Sequence, residues 1–287
     1  MADGYIMTDE AGAAAGEVAG PVEAALNYQA PTAEKPHTYN YEPPPGVARQ
    51  NFSDDAKSVL IEDMRGQEHT FSLDQHGFAG LFRASRIKAF DDEATIRSQY
   101  YPECEALLAR ELGADRALIF DHTIRRRVPG QPDHQEGSRQ PVARVHVDQT
   151  ELSGPERVQR HLPAEADALL RGRVRIVNLW RPIRGPVLDR PLAMADGGSI
   201  GPDDLVATDL LYPDRAGEIY SVLHSSAHRW YYWSMMQPDE VLLLKCYDSA
   251  RDVRSRLSPH SAFIDPRVDE HAPPRQSIEL RALVFGG

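Results

Sequence analysis

The stretch Val142-Ala143-Arg144-Val145-His146-Val147-Asp148-Gln149-Thr150 constrains this chain more than any other. It alternates: Ala143, Val145 and Val147 fall on one side, Arg144, His146 and Asp148 on the other. On a β-strand, residues i and i+2 share a face. An imidazole and a carboxylate therefore leave the same side of one strand, close enough to grip a single ion.

Two protein ligands do not make a metal site, so a third must come from elsewhere. A second histidine would complete the two-histidine, one-carboxylate facial triad of non-heme Fe(II) oxygenases. The H-x-D triplet alone is a weak signal, because the chain has 11 His and 43 Asp plus Glu. A histidine hydrogen-bonded to its neighbouring carboxylate on a half-exposed strand explains the triplet equally well.

The 287 residues suffice for one large domain or two small ones. A net charge of −11 argues against nucleic acid and against anionic membranes as partners. Apolar runs such as Val241-Leu242-Leu243-Leu244 are too short to span a bilayer. The acidic, Ala/Gly-rich start has no basic segment of a signal peptide. Two cysteines, Cys104 and Cys246, make no disulfide framework. The expected location is cytoplasmic, with reduced thiols.

In order along the chain, residues 1–20 read as a disordered tail and 21–50 as an extended arm with tyrosine anchors. The arm begins a single domain over 21–287. A helix is predicted over 90–113, where Ile96, Tyr100, Cys104, Leu107, Leu108 and Leu112 recur at three and four, with Gly113 as its C-cap. Cys104 is then a packed core thiol. A second helix is predicted over 153–171, capped by Ser153. Residues 129–140 read as a loop; His134-Gln135-Glu136 within it is a poorly held rival to the H-x-D pair. Arg125-Arg126-Arg127 reads as a solvated or salt-bridged edge, and Lys245 as a snorkelling lysine in an apolar strand. Many short strands after position 115 predict a mainly β fold with flanking helices and a sandwich or jelly-roll core.

Downstream the order is turn, apolar strand, Ser258-Pro259-His260, loop, then Arg275-Gln276-Ser277 on a last strand. This resembles the C-terminal half of the Fe(II)/2-oxoglutarate dioxygenases, whose core is a double-stranded β-helix. Further segments, Ile119–Thr123, His146–Asp148, Asn178–Ile183, His228–Tyr232, Lys245–Ser249 and Pro273–Arg275, are similar to the fungal hydroxylase/desaturase family within that superfamily. The resemblance runs in order over most of residues 25–285.

The resemblance implies His146, Asp148 and His260 as iron ligands and catalytic residues, with Fe(II) and 2-oxoglutarate as cofactors. It implies Arg275 with Ser277 for the far carboxylate of 2-oxoglutarate, because a planar guanidinium forks onto a carboxylate. Arg281, in strand phase with Ser277, is the rival for that role. His228, beside Trp230, Tyr231 and Tyr232, is the rival third ligand, and its aromatic neighbours suit a pocket wall or a core histidine. Asn178, Trp180 and Arg181 are candidate substrate-binding residues. The expected partners are a small natural product or amino-acid-derived substrate, 2-oxoglutarate and dioxygen, with a homodimer as the assembly considered. Two other readings stand beside this one: a cupin-like metal protein without oxygenase activity, and an interaction module using the aromatic cluster 230–233. The first has no need of Arg275-x-Ser277, and the second leaves the H-x-D pair unexplained.

Overall fold

The computed structural model describes residues 18–131 and 139–287. Most of the expected tail over 1–20, and His134, Gln135 and Glu136 of the loop, lie outside the described residues.

The chain forms two sheets. In order, the strands are β1 (Val22–Gln29), β2 (His37–Tyr39), β3 (Asp54–Asp63), β4 (Phe78–Phe82), β5 (Arg116–Arg126), β6 (His146–Val147), β7 (Val174–Pro182), β8 (Leu192–Ala195), β9 (Leu205–Leu211), β10 (Ala216–Val222), β11 (Trp230–Tyr232), β12 (Glu240–Asp248), β13 (His260–Ala262) and β14 (Gln276–Phe285). The larger sheet has the order β1-β3-β11-β8-β13-β6-β10-β9-β2, and the smaller β4-β12-β7-β14-β5. The fold is mainly β with a jelly-roll core, as expected.

β7 and β12 are buried along their whole length. Both faces of their sheet are covered, so both strands are apolar in each phase. Val177, Leu179, Val241, Leu243, Ile278 and Leu280 meet the helical layer of Ile96, Tyr100, Cys104 and Leu108. In the opposite phase Trp180, Leu242 and Leu244 meet Met194 of the larger sheet. The helical layer is continuous from Glu93 to Glu111, with a π turn at Ile96–Tyr100 leading into α1 (Tyr101–Glu111). Gly113 follows it with a φ of +57°, the left-handed stop that its sequence position predicts.

The arm over 21–50 packs on the body of the domain. It supplies β1, antiparallel to β3 from Val22↔Ile61 to Gln29↔Asp54. Val145 N donates to Asn27 O at 2.9 Å, so this edge strand returns to the lead-in of β6 and the sheet curls on itself. Leu26, Tyr28, Ile61, Val145, Trp230 and Tyr232 pack inside that curl.

The predicted helix over 153–171 is broken into α2 (Ser153–His161) and Ala166–Leu169. Pro163 accounts for the break, because the residue before proline is pushed out of helical geometry and Leu162 has φ −136°, ψ 52°. Ser153 is the first helical residue, and Thr150 Oγ1 accepts from its backbone N–H at 3.1 Å. Lys245 is fully buried and pairs with Asp74 and Asp248 at 2.6 Å each. It does not snorkel, because these carboxylates meet it inside the protein.

Candidate metal centre

β6 and β13 are antiparallel neighbours, with His260 directly opposite His146. Their ring centroids are 4.5 Å apart. Asp148, two residues along on the same face, brings Oδ1 to 3.4 Å from His146 Nε2. One donor atom from each of the three residues lies within 4.8 Å of the other two. The strand alternation read from the sequence thus meets a third side chain more than a hundred positions away.

Outer contacts fix how these donors point. His146 Nδ1 lies 2.8 Å from Arg144 O, and His260 Nδ1 lies 3.1 Å from Ser258 O. A carbonyl can only accept, so each Nδ1 carries the proton and each Nε2 keeps a free lone pair. Burial and the nearby His146 lower the His260 imidazole from its usual range, keeping it neutral. Burial alone would raise the Asp148 carboxyl, but the groups around it, the Arg281 guanidinium foremost, hold it well below the ordinary carboxylate range. Its Oδ2 accepts from Asn178 Nδ2 at 2.8 Å and Arg281 Nε at 2.9 Å, which leaves Oδ1 toward the histidines. Two neutral imidazoles and one carboxylate suit a divalent iron with open positions.

A narrow cavity opens beside the histidines, lined among others by His146, His260, Trp180, Arg125, Arg275 and Glu279. Arg275 is buried; its Nη1 donates to Arg190 O at 2.5 Å, and its buried Nε has no partner among the described residues. Its guanidinium carbon lies 5.5 Å from the centre of the Trp180 ring. Burial, with the neighbouring Arg125, lowers its pKa to about 9, so it remains cationic at neutral pH. Ser277 is buried two residues further along the same face of the chain. Arg281 is engaged elsewhere, with Glu279 at 2.6 Å and Thr123 at 2.9 Å besides Asp148.

Two expected pocket residues lie away from this site. Arg181 is in the helix-facing phase of β7 and donates to Tyr100 Oη at 2.9 Å and to Arg83 O and Pro238 O at 2.7 Å each. Strand alternation puts it opposite Asn178 and Trp180. His228 sits inside the curl of the larger sheet, 3.0 Å from Asp204 and 3.3 Å from Tyr28 Oη. It packs near Tyr28 and Trp230, and lines neither the narrow cavity nor the wider one described next.

Arg125 and Glu279 are site residues that the sequence reading missed. Arg125 lies opposite Ser277 in the register of β5 and β14, so the first residue of the basic run turns inward, while Arg127 pairs with Asp189 at 3.1 Å. Strand phase carried that signal. A wider cavity of about 350 Å³ lies on the other side of Asp148, with Phe120, Gln149, Arg157, His161 and Tyr212 in its walls. Phe120 and Gln149 lie in segments that the sequence singled out for other reasons, but no motif marked Arg157, His161 or Tyr212 as cavity residues.

Comparisons with known proteins agree with this geometry. A family model described as "Oxidoreductase/YMDC permease-like domain" matches residues 26–285. No helix among the described residues is long and apolar enough to cross a membrane. The chain is 36% identical to the hydroxylase/desaturase efuI of Hormonema carpetanum, covering 84% of this chain and 86% of that protein. It is 37% identical to the Fe(II)/2-oxoglutarate-dependent dioxygenase nvfI of Aspergillus novofumigatus, covering 87% and 90%. Its fold superposes on a structure of the iron and alpha-ketoglutarate-dependent endoperoxidase NvfI with a TM-score of 0.86 at 34% identity, covering 93% of this chain and 99% of that one. The chain belongs to the hydroxylase/desaturase family of Fe(II)/2-oxoglutarate-dependent dioxygenases.

Proposed function

We propose that this chain hydroxylates, desaturates or oxidatively closes a ring in a small natural product or amino-acid-derived molecule of secondary metabolism. His146, Asp148 and His260 hold Fe(II); Arg275, with Ser277 beside it, receives the far carboxylate of 2-oxoglutarate. The observation that carries this reading is the shared cavity: His146, His260 and Arg275 line the same space, and the buried Arg275 Nε has no hydrogen-bond partner among the described residues. Fe(II) with 2-oxoglutarate and dioxygen supplies the power to break a substrate C–H bond. The residues do the rest. Asn178 and Arg281 hold the Asp148 carboxylate in place, Arg275 orients the cosubstrate, and Trp180 walls the cavity against water. A cupin-like protein with a redox-silent metal has no use for a buried, unpaired Arg275 facing the histidines.

The test is anaerobic addition of Fe(II) and then 2-oxoglutarate. A weak visible charge-transfer band that needs both, and needs His260, is the expected result. A band formed with Fe(II) alone, or none, overturns the reading. A cytosolic setting belongs to the same proposal, supported by two buried free thiols, Cys104 and Cys246, that suit a reducing compartment.

A further inference from the structure

The wider cavity beside Asp148 carries more positive charge than its surroundings neutralise. Its walls hold Arg139, Arg157, Arg160, Arg215 and Arg281. The acidic groups there are already matched. Asp148 and Asp121 face Arg281 at 2.9 and 3.5 Å. Glu218 faces Lys35 at 3.0 Å and accepts from Thr150 Oγ1 at 2.6 Å. Arg157 and Arg160 are left without a carboxylate partner among the described residues.

Both project from α2, with His161 one turn beyond Arg157, so the three share a face. Arg157 Nε donates to Gln149 Oε1 at 3.3 Å, and its guanidinium lies 5.8 Å from the centre of the Phe120 ring. Neither of its Nη atoms has a hydrogen-bond partner among the described residues. His161 stacks on the same ring at 4.8 Å, and its buried Nε2 has no partner. Burial and the adjacent Arg160 lower Arg157, and burial with both arginines lowers His161. Like charges three residues apart on a helix are mildly destabilising on their own. A planar anion between them removes that cost and fits the fork of Arg157.

We infer that the organic substrate carries a carboxylate and that Arg157 and Arg160 bind it, with the carbon to be oxidised toward Asp148. Phe120, Leu210 and Ile219 supply an apolar wall for the body of the molecule, and about 350 Å³ holds one small molecule. This assignment rests on the proposed function, since the cavity reaches the proposed iron site through Asp148. 2-Oxoglutarate itself is excluded from the role, because Arg275 serves it beside the two histidines.

The probes are 1-naphthoate, indole-3-carboxylate and cyclohexanecarboxylate, each titrated calorimetrically beside its methyl ester. The protein is the full chain loaded anaerobically with Fe(II) and 2-oxoglutarate. At least one acid is expected to bind about tenfold tighter than its ester. Arg157→Met and Arg160→Met should each cut that preference to about threefold or less, with Arg157→Lys retaining part of it. Arg160 is exposed, so its replacement is a second arm should Arg157→Met fail to fold. Equal binding of every acid and ester, or a preference that survives both substitutions, overturns the anion site. Wild type is assayed in parallel for 2-oxoglutarate-dependent succinate formation. If that formation is intact and the preference is absent, the anion site alone fails; if there is none, the proposed function fails.

Discussion

Arg281 Nε lies 2.9 Å from Asp148 Oδ2, which ties the last strand to the carboxylate of the metal centre. Two arginines six residues apart on β14 and its lead-in thus have different duties. Arg281 steadies the Asp148 carboxylate, whereas Arg275 lines the cavity beside the histidines, its Nε without a partner among the described residues.

Arg281→Met should therefore weaken iron binding. Loss of a group that orients a metal ligand typically costs about 10–100-fold in affinity. A metal titration of the purified variant reads this directly. An unchanged iron affinity would mean that Asn178 alone suffices to hold Asp148.

Arg275→Leu should leave iron content near normal and raise the 2-oxoglutarate requirement strongly. Removing one partner of a buried charged pair costs about 2–5 kcal/mol. Succinate formation against cosubstrate concentration measures it. An unchanged half-saturation would move the carboxylate to Arg125 or Arg281.

The two rival histidines separate by readout. His260→Ala should abolish turnover and iron retention while the fold persists. His228→Ala should keep iron, yet melt earlier than wild type, because it removes a partner of Tyr28 and Asp204 in a packed region. Full activity in the first together with loss in the second would exchange their roles.

Lys245→Ala should destabilise by about 1.5–3 kcal/mol, since it removes one of the two cations that hold the fully buried Asp248 carboxylate and leaves it to Arg173. Lys245→Met paired with Asp248→Leu should recover much of that loss. A double variant no more stable than Lys245→Ala would show that packing, not the lost ion pair, sets the cost.

The same cluster sets an acid limit. Burial would raise Asp74, but Arg173 and Lys245 outweigh it and lower its pKa to about 2; Asp248 is lowered by the same two partners. The unfolded value is about 3.9. A depressed folded pKa stabilises above the unfolded value, and the contribution fades as pH falls toward the folded one. Melting temperature should therefore drop between about pH 4 and pH 2, more steeply in wild type than in Asp74→Asn. Parallel curves would remove the cluster from the acid response.

Much of the site was legible because strand alternation is strict. His146 with Asp148, and Arg275 with Ser277 and Arg281, could be paired by counting in twos. The same rule places Arg181 opposite Trp180 and turns Arg125 inward; composition hid the second, because a run of three arginines looks like surface. His228 was ambiguous for a different reason: aromatic neighbours line pockets and cores alike. The order of strands was not legible. β6 lies between β13 and β10, and β8 between β11 and β13, and no local pattern encodes partners that distant. The wide cavity was hidden in the same way, since Phe120, Arg157 and Tyr212 share no motif and meet only in the fold.

The return of β1 to the lead-in of β6 has a thermodynamic consequence. Val145 N–H is held by Asn27 O, one residue before His146. Whatever opens residues 22–29 also loosens the segment that presents the first imidazole. Ligand binding to the closed form must in turn suppress that opening by the same free energy. Amide protons across Val22–Gln29 should thus exchange more slowly once iron is bound, although none of the three residues proposed to hold it lies on that strand. The earliest strand of the chain becomes a reporter of metal occupancy, readable by hydrogen exchange.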